Sequence, residues 1–337
     1  MDTDTVVERF GLSETTEAWL YQAAQLPRPS GGVPLPPRWE ASGALSVFGL
    51  ADEDATELVH WWPDDSWPPE LWWLLERMYA QVVADLYTRT PEWRHWPALV
   101  EADDPRLRCA SVFAFAAAVP HLAEVHRRLG VPWEATAATL GDVGRHVAQT
   151  RRMFGRVGLE TASWIALHFR AGLYALGRLQ FEPNVLAEQA AVTWYPASEA
   201  ASLPAELHPG QPALRVHIPA EGPLDARGVE ESLTRARPFF RSCLGTDYPV
   251  ATCTSWLLDP QLAEYLDPAS NIMAFQRRFT LVERQNPGNT DVFRFVFGMP
   301  EVRPDEAPQR TRLERAVVEH LRNGGQWHVR TGWLRLG

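Results

Sequence analysis

Residues 213–297 constrain the fold most, because the side-chain period changes there from two to 3.6 and back. Leu214, Val216 and Ile218 alternate with Arg215 and His217, the pattern of a half-buried strand. Residues 220–224, Ala-Glu-Gly-Pro-Leu, read as a loop. Asp225 is a suitable N-cap, and Val229, Leu233, Ala236 and Phe240 then recur along one face of a helix whose end Pro238 should disturb. Cys253, Ser255 and Leu257 next alternate with Thr252, Thr254 and Trp256, before Asp259-Pro260 turns the chain into a short helix over 261–266. The runs 271–284 and 291–298, joined through Asn286-Pro-Gly-Asn289, predict a hairpin, with Phe279 and Leu281 facing Phe293, Phe295 and Phe297.

The flanking sequence divides by character. Residues 5–25 carry an amphipathic pattern, with Ser13 able to restart a helix and Val6, Phe10, Trp19 and Leu20 on one side. Residues 26–38 are rich in proline and glycine and form a connector, and a short helix is expected near 52–60. A tryptophan-dense stretch, 61–96, contains the helical series Leu71, Leu74, Leu75, Met78, Val82 and Leu86. Its tryptophans line an aromatic pocket or serve as core anchors. Residues 105–129 are one helix or two broken at Pro120, and 133–155 and 159–175 are further helices. From Leu173 onward strand character takes over. Residues 176–183 form a strand with Gly177 as a bulge, 309–322 a helix ended by Gly324 and Gly325, and 327–336 a last strand. The expected fold is α/β of the α+β kind: a mainly helical N-terminal domain, 1–172, and a mixed β-sheet domain, 173–337.

Composition removes several classes of function. The net charge of −10 over 337 residues argues against nucleic acid and anionic membrane surfaces as partners. All 32 basic residues are arginine, which excludes Schiff-base chemistry and a phosphate-loop lysine. Cys109, Cys243 and Cys253 form no CxxC pair, so neither a structural zinc site nor a disulfide framework is expected, and the histidine spacings give no metal site. The first ten residues lack a secretory pattern and no run of 18 apolar residues occurs, so a cytoplasmic location without a membrane span is expected.

The element order, with His217-Ile-Pro-Ala-Glu-Gly-Pro-Leu224, Ser255-Trp-Leu-Leu-Asp-Pro260 and Ser270-Asn-Ile-Met-Ala-Phe-Gln276, resembles a bacterial group of acyltransferase-domain proteins. These join a helical N-acyltransferase N-terminal domain to a GNAT-like C-terminal domain. The resemblance implies transfer of an acyl group from a thioester to an amine of a small molecule or peptide. It implies no tightly bound cofactor, acyl-CoA or another acyl thioester as co-substrate, and a possible acyl carrier protein as donor. It also places the donor's pyrophosphate on the loop before the helix, through Ala220, Glu221, Gly222, Leu224 and Arg227. Helix-start amides and dipole suit an anion. The loop departs from the usual glycine-rich pattern: it has one glycine, Pro223 lacks an N–H, and Glu221 and Asp225 oppose a phosphate that Arg227 attracts.

Such chemistry needs a base for the amine proton, a donor to the oxyanion and an acid for the thiolate. His217 is the candidate base, and Glu182 orients it or is a solvated strand-end carboxylate. Ser255 and Cys253 are candidate donors, and Cys253 with His217 would permit a covalent thioester; otherwise both are small buried residues. Gln180, Arg215, Trp256, Asn271 and Gln276 are candidates for substrate binding. Two other readings stand beside transfer: a non-catalytic binding protein on the same scaffold, and a hydrolase or thioesterase using Cys253 or Ser255.

Overall fold

The computed structural model describes residues 1–86 and 93–337, and the chain divides into two compact units, Met1–Tyr174 and Ala175–Gly337. The first is helical: α1 (Thr3–Phe10), α2 (Glu14–Ala24), α3 (Ala41–Leu45), α4 (Asp52–His60), α5 (Pro69–Leu86), α6 (Pro105–Arg128), α7 (Trp133–Leu140), α8 (Asp142–Phe154) and α9 (Ala162–Phe169). Ser13 caps α2 by accepting from the Thr16 N–H. The periodic leucines of α5 are all buried, together with Met78 and Val82. Residues 87–92 of the tryptophan-dense stretch lie outside the described residues. Trp62 and Trp67 meet Phe113 edge-on, and Trp96 packs on Phe115, so these three anchor the core.

Helix α6 runs unbroken through Pro120. By length and composition it is apolar enough to cross a membrane, but most of that window is buried inside the unit, where Cys109 to Ala118 form the centre of the core. The single helix expected over 133–155 is two, divided at Gly141. Close approach explains the packing here: a Cβ on Gly144 would lie 2.4 Å from the carbonyl oxygens of Phe48 and Gly49. The 159–175 helix is shorter than expected, since α9 ends at Phe169.

The second unit is built on a six-stranded sheet, order β1-β2-β3-β4-β6-β5. Its strands are β1 (Tyr174–Ala175), β2 (Gln180–Val185), β3 (Pro212–His217), β4 (Val250–Ser255), β5 (Thr280–Pro287) and β6 (His328–Arg335). Strands β3 and β4 are parallel, and β2/β3, β4/β6 and β5/β6 are antiparallel. The helices are α10 (Ala197–Ala200), α11 (Ala226–Leu244), α12 (Asn271–Gln276), α13 (Asn289–Val292) and α14 (Arg312–Arg322). Helix α11 is the β3–β4 crossover and continues past Pro238. It ties to the sheet where Ser232 Oγ accepts from Leu179 N–H and Arg237 donates to the Leu336 carbonyl.

Three expectations are corrected. Residues 176–179 form a turn, closed by Leu176 N–H to the Leu179 carbonyl, with Gly177 at φ 91°, so the strand starts only at Gln180. Residues 261–266 are replaced by a 3₁₀ turn, Pro260–Glu264. The hairpin over 271–298 does not exist. Ser270 caps α12, β5 pairs with the tail strand β6, and Phe293–Phe297 continues α13 as a π-helical turn. The tail strand captures β5 because Gly288 allows the backbone of His328 within 2.7 Å of its Cβ position and Asn289 Oδ1 accepts from Trp327 N–H. Phe293 and Phe297 then pack against the cluster of Trp256 and Trp327, while Phe295 is exposed.

Candidate active site

Antiparallel register sets the site. Gln180 lies opposite His217 and Glu182 opposite Arg215, so the four side chains share one face of β2 and β3. His217 Nε2 lies 3.0 Å from Glu182 Oε2. Asn184 Nδ2 donates to Glu182 Oε1 at 2.6 Å, and Arg215 Nη1 stands 3.7 Å from the same oxygen. Arg215 Nη2 donates to Gln189 Oε1 at 2.9 Å, which ties the 186–211 segment to this cluster. That segment covers the neighbouring part of the face, with Trp194 and Leu207 packed on Ala213 and Val250 and Thr193 N–H donating to Thr331 Oγ1.

Burial raises the Glu182 carboxyl, but the hydrogen bond and charge of His217, then Arg215 and Asn184, outweigh it and hold the group below its ordinary value. Glu182 is therefore ionised and can only accept, so His217 Nε2 carries the proton. In the neutral ring the basic nitrogen is then Nδ1. The His217 side chain is 28% exposed, against 11% for Glu182, which gives a ring reachable by substrate and held from behind. Burial lowers the Arg215 guanidinium, with Glu182 acting in the opposite direction. Gln180 is buried and its Nε2 has no hydrogen-bond partner.

The other sequence candidates are placed elsewhere. Cys253 pairs with Val216, not His217, so it points to the opposite face. It is buried, and desolvation pushes its thiol up to about 12, so no Cys253–His217 dyad forms. Ser255 ends β4 and accepts from Leu257 N–H at 3.1 Å, starting the Trp256–Leu258 turn. Trp256 is a core residue beside Leu262 and Trp327. Gln276 Nε2 donates to the carbonyls of Leu257 and Asp259, a clamp between two turns. Asn271 is exposed at the start of α12.

At the head of α11, Asp225 accepts from Gly228 N–H at 2.8 Å. The preceding loop exposes Ala220, Glu221 and Gly222 and buries Leu224, with Gly222 at φ 53°. Arg227 is exposed and paired with Glu231 at 2.8 Å. Two further arginines, absent from the sequence candidates, donate to this loop and the helix start. Arg178 donates to the carbonyls of Pro219 and Pro223, and Arg278 donates to Glu230 and the Ala226 carbonyl. Arg178 sits in the Gly177 turn, 45 residues from Pro223 along the chain, and pattern alone carries no sign of that contact. Among the described residues, no cluster of three or more His, Cys, Asp or Glu side chains is set to hold a metal ion.

Comparison with known proteins gives the same architecture. Residues 39–171 match the N-acyltransferase N-terminal domain and residues 173–334 the GNAT-like C-terminal domain. An acyltransferase solved with decanoyl-CoA and teicoplanin is 36% identical over 100% of both chains, TM-score 0.86. An acyltransferase solved with decanoyl-CoA is 34% identical over 100% of both, TM-score 0.87, and one with CoA and 10C-teicoplanin is 36% identical over the same coverage, TM-score 0.85. No curated protein matches the chain significantly. The resemblance carried by the 217–224, 255–260 and 270–276 motifs thus extends over the whole chain, which belongs to the acyltransferases that join an N-acyltransferase N-terminal domain to a GNAT-like C-terminal domain and move an acyl group from a thioester to an amine.

Proposed function

We propose that the chain transfers a fatty acyl group from acyl-CoA to an amine of a glycopeptide, with His217 as the general base. The observation that carries the residue assignment is the 3.0 Å pair between His217 Nε2 and a buried, ionised Glu182. The substrates are argued from the similar proteins, solved with decanoyl-CoA and with teicoplanin, a glycopeptide.

In this reading His217 Nδ1 takes a proton from the acceptor ammonium, and the freed amine attacks the thioester carbonyl. The carbonyl π pair moves to oxygen as the C–N bond forms. Gln180, across the strand pair from His217, supplies an amide donor to that oxygen. Collapse restores the carbonyl and breaks the C–S bond, and the second proton on the attacking nitrogen, positively charged after attack, passes to the departing thiolate to give the amide and the free thiol. Glu182 fixes the imidazole tautomer and balances the imidazolium, and Arg215 keeps that carboxylate ionised. The donor pyrophosphate rests at the α11 head, where first-turn amides and Arg178 offset Asp225 and Glu221.

The test is turnover of decanoyl-CoA with deacylated teicoplanin, following free thiol and the mass of the product. Acyl-glycopeptide formed by the wild type and reduced by His217→Ala supports the proposal. Thiol release without acylated product would show hydrolysis instead. No release, with no binding of decanoyl-CoA by calorimetry, would remove the CoA donor.

A further inference from the structure

Acyl transfer as proposed leaves one proton without a carrier, the second one on the attacking nitrogen, which must reach the sulfur as the C–S bond breaks. Cys253 and Ser255 are not placed to carry it, because Cys253 lies on the face of β4 away from His217 and Ser255 shares that face. Thr254, between them, lies on the other. Arg215 pairs with Thr252 in the parallel β3/β4 ladder, so the residues two further on, His217 and Thr254, share one face. They stand one step past the last pair, Val216 and Cys253. Neighbouring strands run only about 4.8 Å apart, so an amine held at His217 is within reach of the Thr254 hydroxyl.

On its other side Thr254 faces Thr331 of β6, and the two Oγ1 atoms are 2.9 Å apart. Thr331 Oγ1 also accepts from the Thr193 N–H at 3.0 Å. Among the described residues neither hydroxyl has another hydrogen-bond partner. A hydroxyl has one hydrogen and two acceptor lone pairs, so the pair shares one hydrogen and leaves the second outside the bond. Thr331 is 1% exposed, whereas Thr254 is partly exposed. A spare hydrogen on Thr331 would be buried without an acceptor, so Thr331 donates and Thr254 accepts. The chain then runs from Thr193 N–H through Thr331 to Thr254, each bond polarising the next. It ends in a Thr254 hydroxyl with its hydrogen and one lone pair uncommitted. We propose that Thr254 is the proton relay of acyl transfer: its hydrogen passes to the leaving sulfur while its unused lone pair takes the second proton from the attacking nitrogen. One N–H, the Oγ1–H and the C–S bond break as a new Oγ1–H and an S–H form. The C–S electron pair stays on sulfur to take the proton, and Thr254 ends as it began. This rests on the reading of the His217 face as the transfer site.

The experiment follows free thiol from decanoyl-CoA with deacylated teicoplanin, and repeats it with S-phenyl thiodecanoate, whose aryl thiolate is a weak base and departs without a proton. Thr254→Val, which keeps the shape and loses the hydroxyl, should lower kcat with decanoyl-CoA about tenfold or more. Its KM should stay within about twofold, the sign of a group that acts in the transition state. With the phenyl thioester its rate should match wild type. Thr254→Ser should restore most of the CoA rate. Thr331→Val breaks the same threonine pair but keeps the Thr254 hydroxyl, and should retain more CoA activity than Thr254→Val; melting temperatures show that each variant folds. Equal loss on both donors, no rescue by serine, or an equal loss in Thr331→Val would overturn the relay and make Thr254 a structural partner of Thr331. His217→Ala separates the two readings. A fast His217→Ala beside a slow Thr254→Val would remove the base and keep the relay, and a slow His217→Ala beside a fast Thr254→Val would remove the relay alone.

Discussion

His217 and Glu182 divide one task between exposure and burial. The imidazole is partly exposed, and the carboxylate hydrogen-bonded to it is buried. Removing the ring in His217→Ala should lower kcat about 10²–10⁴-fold, the usual range for a general base. The KM for acyl-CoA should change little, because the proposal puts the ring at the reacting centre and not at the α11 head; steady-state kinetics with both substrates varied checks this. Gln180 makes a different prediction. Its Nε2 is buried without a partner, so Gln180→Leu removes an unsatisfied polar group and should leave the melting temperature unchanged or higher. If the amide meets the oxyanion, the same change should cost about 10²–10³-fold in kcat. Lower stability together with unchanged kcat would make Gln180 a structural residue. Glu182 also links the site to pH. Its carboxyl is held below the ordinary 4.5, so it stabilises the folded state above that value, and the contribution is lost as pH falls through and below it. Between pH 5 and 3, wild type should therefore lose more stability than Glu182→Gln, read by urea melts at each pH.

At the scale of elements, the head of α11 carries a cap and, in the proposed reading, the phosphate position as well, so Asp225 serves the first at the expense of the second. Asparagine caps about as well as aspartate. Asp225→Asn should therefore shift stability by no more than about 0.5 kcal/mol, the lost charge–dipole term. It should also tighten CoA binding if the proposed phosphate position is right, since it removes a negative charge there. Calorimetric titration with CoA at low and moderate salt checks both the gain and its salt dependence. The strand–loop–helix order around this head was legible in the sequence because period, cap and loop composition all agreed there. The pairing of β5 was not. Residues 280–287 and 291–298 both alternate, and a proline-glycine turn stands between them, so local chemistry favours a hairpin. The deciding contacts, Gly288 on the His328 backbone and Asn289 on Trp327, join parts of the chain almost 40 residues apart. A similar distance in sequence hid the contacts of Arg178 with Pro219 and Pro223, whereas Asn184, two residues past Glu182 on β2, was hidden because Pro183 reads as the strand's end; His217 and Glu182 could be paired from their strand ends alone.

On the scale of the molecule, the two units have separate cores and different means of holding buried charge. The helical unit satisfies Asp142 completely: His168 Nε2 and Trp164 Nε1 donate to Oδ2 at 2.8 and 3.0 Å, and Arg145 Nε donates to Oδ1 at 2.7 Å. Burial raises that carboxyl, and the hydrogen bonds from His146 and His168 overcome it and depress it strongly. The sheet unit instead leaves Gln180 idle and His217 half open, the sort of local cost expected at a working site. Cysteines report on each unit. Cys109 is buried in the helical core and Cys253 in the sheet, and desolvation pushes both thiols far above the ordinary range. Neither should react with a thiol reagent in the native protein. Because each unit has its own core, urea should expose the two residues in separate transitions, as domains that fold as units do. Pulse labelling at increasing urea, with each site assigned by peptide mass, reads the two midpoints. Distinct midpoints support independent units, and a shared midpoint with one slope would mean that 1–174 and 175–337 unfold as a single cooperative block.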